Sequence, residues 1–298
     1  MSITFSAIIP CYNGSRYIVS AIESVLKQTR KFDEIIISDD NSSDDTVEIA
    51  KRYEKYGIRI VINKNGPSGF VNGWNNAIRL ATCDYISILH QDDVLYSEFL
   101  EKIEQSLQEH PDVMHAFSVC DYIDGEGNVV RHPFLKESGT FRYNQQEYIQ
   151  EYMDCGNHSH IHRCPGVVTR RSVFEYCTYR EEAGHIADDD FFYRVAQYTD
   201  VIGILEPLAA YRLHDASETG KLSDMRLVRR LSRDQLFLLK CRYYREKLSR
   251  SSYLKLCKMH YRDARRLLGY SLMRFDLVNM TYSIYCIVMN MILSHFKS

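Results

Sequence analysis

An apolar strand pattern runs directly into two adjacent acids in the stretch Ile86-Ser87-Ile88-Leu89-His90-Gln91-Asp92-Asp93. Two neighbouring carboxylates repel each other, so a fold that places them at a strand end must compensate them with a cation, a hydrogen-bond network or solvent. One interpretation is a divalent metal that carries a phosphate ester. The alternative is an Asp-Asp cap on the helix that follows, because acids are favoured at helix N-termini.

Short apolar runs alternate with amphipathic segments around this stretch. They predict strands at 6–10, 34–38, 58–62 and 85–89, and helices at 17–28, after 45 and at 71–81. This alternation predicts a parallel sheet with helices on both faces, in which ligands bind at the carboxyl ends of the strands. Three polar clusters fall on that edge: Pro10-Cys11-Tyr12, Asp39-Asp40 and His90–Asp93.

The second half of the chain has a less regular pattern. It predicts a helix at 98–108, strands at 113–119 and 167–169, a helix that begins after Asp188-Asp189-Asp190, and two strands at 201–205 and 208–212 separated by Glu206-Pro207. Beyond Gly220 the pattern is helical and basic.

Composition and charge divide the chain into two parts. Residues 1–220 hold 20 Lys+Arg against 34 Asp+Glu, whereas residues 221–266 hold 15 against 4. The acidic first part disfavours a nucleic-acid partner, because it would repel phosphate backbones. The nine cysteines are scattered singly and no signal-peptide pattern is seen, which predicts a cytoplasmic protein in a reducing compartment.

Four motifs occur in a fixed order. They are Ser6-Ala7-Ile8-Ile9-Pro10-Cys11-Tyr12-Asn13, then Glu34-Ile35-Ile36-Ile37-Ser38-Asp39-Asp40-Asn41-Ser42-Ser43-Asp44, then Leu89-His90-Gln91-Asp92-Asp93, and finally Tyr211-Arg212-Leu213-His214-Asp215-Ala216-Ser217. The series resembles that of family 2 glycosyltransferases with the GT-A fold.

The resemblance implies an α/β fold of the GT-A, Rossmann-like type: a mixed, mostly parallel sheet flanked by helices at 1–220, with a C-terminal helical extension at 221–298. It also implies an inverting enzyme of bacterial surface polysaccharide synthesis. Such an enzyme moves a sugar from a nucleotide-sugar, expected to be a UDP-sugar, to a glycan or polyprenyl-linked acceptor.

In this family the Asp pair after the second strand holds the nucleoside, which implies that Asp40 accepts a hydrogen bond from the base or ribose. The family commonly has Gly where this chain has Asn41, and Asn tolerates the left-handed conformation that such a turn needs. An Asx-turn at Asp39 and Asp40 is the alternative. The implied donor-binding set is Pro10, Tyr12, Asp39, Asp40, Asn75, His90, Gln91 and Asp92.

The family's metal motif is Asp-x-Asp, and His90 stands at its first position. The resemblance therefore implies that Asp92, Asp93 and His214 hold Mn²⁺ or Mg²⁺, because Mg²⁺ prefers oxygen ligands to an imidazole. The family's catalytic base, an Asp in a Glu-Asp pair ahead of a helix, aligns with Asp188, and Asp189 competes by a shift of one position. A helix N-terminus exposed to solvent is the alternative for these acids.

His158, His160, His162 and Arg163 lie between the donor motifs and this base. Alternation puts the three histidines on one side of an extended segment, for acceptor recognition, for a second metal site, or simply as a polar face. Trp74 either packs in the core or flanks the donor.

The segment at 277–294 carries no charge but includes Asn279, Thr281, Ser283 and Asn290, which favours an interfacial helix on the inner face of the membrane over a span. A bundle that packs on the catalytic part or on a second copy of the chain is the alternative. Departures at His90 and Ala187 also leave open a sugar-nucleotide-binding scaffold without catalysis, and a membrane-associated interaction protein is a further hypothesis.

Overall fold

A computed structural model describes residues 3–66, 68–133, 135, 137–154, 164–215 and 224–295. In these residues the strands are β1 (Phe5–Cys11), β2 (Glu34–Asp39), β3 (Arg59–Ile62), β4 (Tyr85–Ile88), β5 (Val94–Leu95), β6 (His115–Ile123), β7 (Val129–Arg131), β8 (Thr140–Tyr143), β9 (Val167–Arg170) and β10 (Val201–Arg212). The helices are α1 (Ile18–Leu26), α2 (Thr46–Lys51), α3 (Phe70–Ile78), α4 (Phe99–Glu109), α5 (Gln145–Asp154), α6 (Ala187–Val195), α7 (Asp224–Lys240), α8 (Arg242–Lys247), α9 (Arg250–Met273) and α10 (Leu277–His295).

All ten of these strands join one mixed sheet, in the order β3-β2-β1-β4-β9-β6-β10-β5, with β7 beside β6 and β8 beside β10. The first four strands in this order are parallel to one another. Strand β9 then runs antiparallel between β4 and β6, and β10 is parallel to β6. The predicted mixed sheet with flanking helices is confirmed.

Side chains from the central strands alternate between two buried layers, as the two-residue period of a strand requires. Ile8, Ile36 and Ile88 lie in one layer, whereas Ile9 and Ile37 lie in the other. The first layer also contains buried side chains of the C-terminal helices: Leu236, Tyr244, Tyr253, Leu256, Cys286 and Leu293. The basic extension therefore shares a hydrophobic core with the sheet.

Two predicted strands near the end of the first part are in fact one. β10 runs without interruption from Val201 to Arg212, and its pairing with β6 changes register on both sides of Pro207. Proline lacks the N–H that a ladder needs, and a β-bulge accommodates it without ending the strand. The prediction of a break at Glu206-Pro207 was therefore wrong.

Parallel pairing brings the predicted polar clusters to the same edge of the sheet. Pro10 pairs with Ser38 and Cys11 with Asp39, and the Asp40 N–H donates to the Cys11 carbonyl at 2.8 Å. The Leu89 N–H donates to the Ile8 carbonyl at 3.0 Å, so the loop after β4 starts at the same level. This register confirms that the three clusters share one edge.

A buried histidine at the start of β6 should make the stability depend on pH. Burial lowers the pKa of His115 to about 3, and its Nδ1 lies 2.8 Å from Thr169 Oγ1. Because the folded pKa lies below the unfolded value of about 6.5, the unfolded state binds more protons, and stability is lost as the pH falls below that value. We expect His115 alone to remove about 2 kcal/mol between about pH 7 and pH 5.

Urea unfolding at both pH values tests this expectation. His115→Asn should be less stable than the wild type at neutral pH, but its free energy of unfolding should change less between the two pH values. Parallel pH dependence in the two proteins would contradict a neutral buried imidazole.

Candidate active site

The loop after β4 is joined to the loop after β1 by one amide side chain. Gln91 Oε1 accepts from the Tyr12 N–H at 2.9 Å, and Gln91 Nε2 donates to the Tyr12 carbonyl at 3.0 Å. A Cβ at Gly14 would lie 2.0 Å from Gln91 Oε1, so this contact requires glycine there. The Tyr12 ring is about half exposed beside the joined loops. Gln91 and Tyr12 were both predicted to bind the nucleotide-sugar, and in the structure the Gln91 side chain fixes the backbone of Tyr12.

The two acids that follow β2 have different partners. Asp39 is buried and accepts from the Ser42 N–H at 2.8 Å and the Ser42 hydroxyl at 2.5 Å, which is the local turn that its position allowed. Asn41 has φ 64°, which confirms the left-handed conformation predicted for it. The side-chain oxygen of Asn13 accepts from the Ser43 N–H at 2.8 Å and ties this loop to the loop after β1.

Asp40 faces the segment that leads into α3. Its oxygens accept from Asn63 Nδ2 at 2.6 Å and from the Ser68 N–H at 2.5 Å. A Cβ at Gly66 would lie 2.4 Å from Asp40 Oδ1, so only glycine permits this approach. For Asp40 to receive a base N–H or a ribose hydroxyl, Asn63 or Ser68 has to release it.

Asp92 and His214 lie in direct contact, although 122 positions separate them. His214 Nε2 donates to Asp92 Oδ2 at 2.8 Å, and the Tyr17 ring packs on His214 with ring centroids 4.6 Å apart. Burial by itself would raise the pKa of Asp92, but the hydrogen bond that Asp92 accepts from His214 is the main cause that holds the pKa below its usual value. Asp92 therefore remains ionised, which is the form that can bind a cation or accept hydrogen bonds from a ligand.

His90 is held by stacking on the single tryptophan of the chain. The Trp74 and His90 rings lie 4.8 Å apart at 20°, and Trp74 also packs against the hydrophobic core, which was one of the two alternatives for it. Burial lowers the pKa of His90, which favours the neutral imidazole. Its Nε2 atom is buried and has no hydrogen-bond partner among the described residues. This nitrogen is the feature of His90 that a bound phosphate or metal would meet.

Asp93 joins the end of β4 to the end of β10. Its side chain is 1% exposed, and its Oδ1 accepts from the Arg212 N–H at 2.8 Å. The Arg212 guanidinium donates to the Asp92 carbonyl at 2.7 Å and to the Asp124 carbonyl at 3.0 Å, above the Tyr17 ring. We did not predict a role for Arg212, although it lies two residues before His214 in the fourth motif.

The predicted metal ligands do not converge on one point in this arrangement. Asp93 Oδ1 faces the backbone of Arg212, whereas Asp92 and His214 face each other. Within the described part of the chain, no three His, Cys, Asp or Glu side chains are grouped as a metal site. Asp92 still fits a hard divalent cation, because Mg²⁺ is usually bound by one or two carboxylates together with substrate phosphates.

Asp188, Asp189 and Asp190 form the first turn of α6 and do not precede the helix as predicted. Asp190 is fully buried and accepts from Arg194 Nε at 2.9 Å, from the Tyr244 hydroxyl at 2.6 Å and from the Arg180 guanidinium. Its spacing from Arg194 is the i, i+4 spacing of a helical ion pair, which is a signal that sequence reasoning can use. Asp190 therefore holds α6 in place.

The two remaining acids face different neighbours. The pKa of the Cys164 thiol is raised chiefly by burial and further by the charges of Asp188 and Asp93. The pKa of Tyr193 is raised by burial and further by Asp189. The choice of Asp188 over Asp189 as the base stays a prediction.

Long-range contacts hold the short segment Glu181–Ile186 that leads into α6. The Asn75 amide exchanges two hydrogen bonds with the backbone of Tyr179, at 2.9 and 3.2 Å. Asp234 of α7 accepts from the His185 N–H at 2.9 Å. Asn75, predicted to bind the donor, thus positions the start of this segment, and Asp234 was not predicted. His158, His160, His162 and Arg163 lie outside the described residues.

Residues 6–176 match the sequence model of glycosyl transferase family 2, which is more than half of the 298-residue chain. The chain belongs to this family.

Related proteins include bacterial glycosyltransferases. Glycosyltransferase GlyG of Streptococcus pneumoniae is 31% identical over 165 residues, which are 50% of this chain and 55% of GlyG. The GalNAc(5)-diNAcBac-PP-undecaprenol beta-1,3-glucosyltransferase of Campylobacter jejuni is 36% identical over 126 residues, 42% of this chain and 40% of that relative. The chain thus spans about half the length of these two relatives.

A solved structure shows the same fold as this glycosyltransferase. Residues 1–349 of S. aureus TarS in complex with UDP-GlcNAc superpose with a TM-score of 0.61 at 14% identity, covering 97% of this chain and 89% of that one.

Removing the carboxylate of Asp190 should destabilise the glycosyltransferase far more than removing the carboxylate of Asp188. Asp190→Asn leaves the buried Arg194 and the half-buried Arg180 without their counter-charge, which costs about 3 kcal/mol of unfolding free energy. Lys27→Ala is the control, because it breaks an exposed pair with Glu23 and should cost less than about 1 kcal/mol. Urea midpoints measure all three variants. A similar loss for Asp188→Asn and Asp190→Asn would contradict the division of roles.

Gly184 should tolerate no side chain. It has φ 62°, and a Cβ there would lie 2.7 Å from Asp234 Oδ1. Gly57→Ala is a matched control, since Gly57 has φ 81° with nothing within 4 Å of the added Cβ, and should cost about 1 kcal/mol from backbone strain alone. Gly184→Ala should cost clearly more in thermal unfolding and should also lower sugar transfer. Equal losses in the two variants would show that Asp234 can move away freely.

Proposed function

We propose that this chain is an inverting glycosyltransferase that moves a sugar from a UDP-sugar to a hydroxyl of a glycan or polyprenyl-linked glycan in bacterial surface polysaccharide synthesis. The observation that carries the proposal is the contact between Asp92 and His214 at the carboxyl edge of the sheet, the edge at which Asp40 follows β2. Two similarities support the choice of substrates: TarS has been solved with UDP-GlcNAc, and the name of the Campylobacter relative specifies a PP-undecaprenol-linked substrate.

In this mechanism each carboxylate has one task. Asp40 accepts hydrogen bonds from the uracil or ribose after the Asn63–Ser68 segment releases it. Asp188 takes the proton of the acceptor hydroxyl while the oxygen of that hydroxyl forms a bond to the anomeric carbon. The bond from that carbon to the diphosphate oxygen breaks on the opposite face, and its electron pair leaves with UDP. The result is inversion at the anomeric carbon.

The charge of the departing diphosphate also needs a partner. Asp92, with His214 next to it, would hold Mn²⁺ or Mg²⁺, which offsets the negative charge of the leaving group when bound. The neutral imidazole of His90 adds a nitrogen that lies beside Asp92 and is fixed by Trp74. Because His90 replaces an acid, the site has less negative charge than an Asp-x-Asp motif would give.

Release of UDP from a panel of UDP-sugars, with Mn²⁺ and with a chelator, tests the proposal. We expect turnover that the chelator removes, and a loss of about a hundredfold or more in Asp188→Asn and in Asp92→Asn. Asp189→Asn is the matched control and should retain most of the activity.

If Asp189→Asn lost activity and Asp188→Asn retained it, the base would be Asp189. Binding of UDP without release from any UDP-sugar would instead identify a sugar-nucleotide-binding scaffold, in line with the departures at His90 and Ala187. Turnover that is unchanged by the chelator would overturn the metal assignment alone.

A further inference from the structure

In helix α10 the distribution of polar and apolar side chains is the reverse of that in a surface helix of a soluble protein. Its buried side is mostly small or polar: Asn279, Ser283, Cys286, Asn290 and Leu293. Its exposed side is apolar: Leu277, Val278, Ile284, Tyr285, Val288, Met291 and Ile292. Surface helices of globular proteins normally bury the apolar stripe and expose the polar one. The outward side of α10, called here the apolar face, therefore needs a partner.

Hydrogen bonds to α9 decide which side of α10 points outward. Asn290 Nδ2 donates to the Cys257 carbonyl at 2.7 Å and lies 3.0 Å from His260 Nδ1. The Ser283 hydroxyl donates to the Asn279 carbonyl at 2.6 Å within the helix. Rotating α10 to bury its apolar side would separate Asn290 from its partners on α9, and a buried polar group is costly without such partners. The exposure of the apolar face is a consequence of this packing.

The turn between α9 and α10 extends the same surface. Met273 is 73% exposed and Phe275 is 89% exposed. Phe275 has φ 53°, a left-handed conformation that is uncommon for a residue with a bulky side chain. The turn thus presents a large aromatic side chain to the outside next to the start of the apolar face.

A row of cations on α7 borders the apolar face. The Arg229 guanidinium lies 5.5 Å from the Tyr282 ring centroid, and Lys240 Nζ donates to the Tyr285 hydroxyl at 2.7 Å. Arg229, Arg230 and Arg233 line, with Tyr282, a cavity of about 390 Å³. Cations beside an exposed apolar stripe are the arrangement by which interfacial helices bind anionic lipid headgroups.

We propose that the apolar face and this basic row dock on an anionic phospholipid membrane, with α10 lying parallel to the bilayer surface. Among the described helices α10 is long and apolar enough to cross a membrane, but its inner side is committed to α9 along its length. A two-fold contact through the apolar face would place α10 against another uncharged α10 and would leave the basic row without an anionic counterpart. Lipid phosphates instead match that charge.

Docking would bring the candidate base close to the membrane. Arg230 of the basic row contacts His185 Nε2 at 2.5 Å, and His185 lies three residues before Asp188. This consequence for a lipid-linked acceptor depends on the proposed function, whereas membrane binding itself does not.

Vesicle flotation of the full chain, without any sugar donor, tests the docking. The protein should bind vesicles that contain phosphatidylglycerol, bind phosphatidylcholine vesicles at least about tenfold more weakly, and lose binding at high salt. Ile284→Asp with Val288→Asp, and separately Arg229→Gln with Lys240→Gln, should each weaken binding by about tenfold or more. All four positions lie at the surface, and an unchanged thermal midpoint checks the fold of each variant.

Matched controls exist elsewhere on the chain. Val129→Asp with Val130→Asp changes two exposed valines of β7, and Arg52→Gln with Lys55→Gln removes two cations, of which Lys55 lies over the Tyr56 ring as Lys240 lies over Tyr285. Both control pairs should bind vesicles as the wild type does. Equal losses in control and test pairs would overturn the proposal. A dimer in sedimentation equilibrium that Ile284→Asp with Val288→Asp turns into a monomer would also overturn it, in favour of a second copy.

Discussion

The buried carboxylate of Asp190 joins the two parts of this chain. It lies in the first turn of α6 and accepts from Arg180, from Arg194 and from the hydroxyl of Tyr244, which belongs to the basic extension. A fully buried charge is tolerated only with such a set of donors, so α6 and the extension have to pack together. Asp188 is two residues away in the same helical turn. The position of the candidate base therefore depends on the ion-pair network of Asp190.

The other acids of the site also combine a residue with a structural role and a neighbour with a proposed role in the reaction. In each group of adjacent acids one carboxylate has a structural role: Asp39 closes a turn, Asp93 binds the end of β10, and Asp190 binds α6 through an ion pair. In the proposed mechanism the neighbours of these acids, Asp40, Asp92 and Asp188, are the carboxylates that act on the substrates. Adjacent acids can be kept in one small volume because the structural member of each group is compensated by hydrogen bonds or by arginine.

Local patterns were sufficient for the parallel half of the sheet and for its functional edge. Alternating strands and helices predicted β1 to β4, and the left-handed turn at Asn41 followed from residue type. The break predicted at Pro207 was wrong because a neighbouring strand absorbs the proline in a bulge, and the pairing partner is remote in sequence. The roles of Arg212, Gly184 and Asp234 were not predicted, since each depends on a contact with a distant segment.

The sequence by itself determined the element types, the family and the candidate acids, because periodicity, turn residues and motif order are local properties of the chain. Only the tertiary structure decided which contacts the acids make, since their partners lie up to 122 positions away, as for Asp92 and His214. It also decided which side of α10 faces outward. Both sides of that helix are uncharged, and the hydrogen bonds that select the inner one are made with α9.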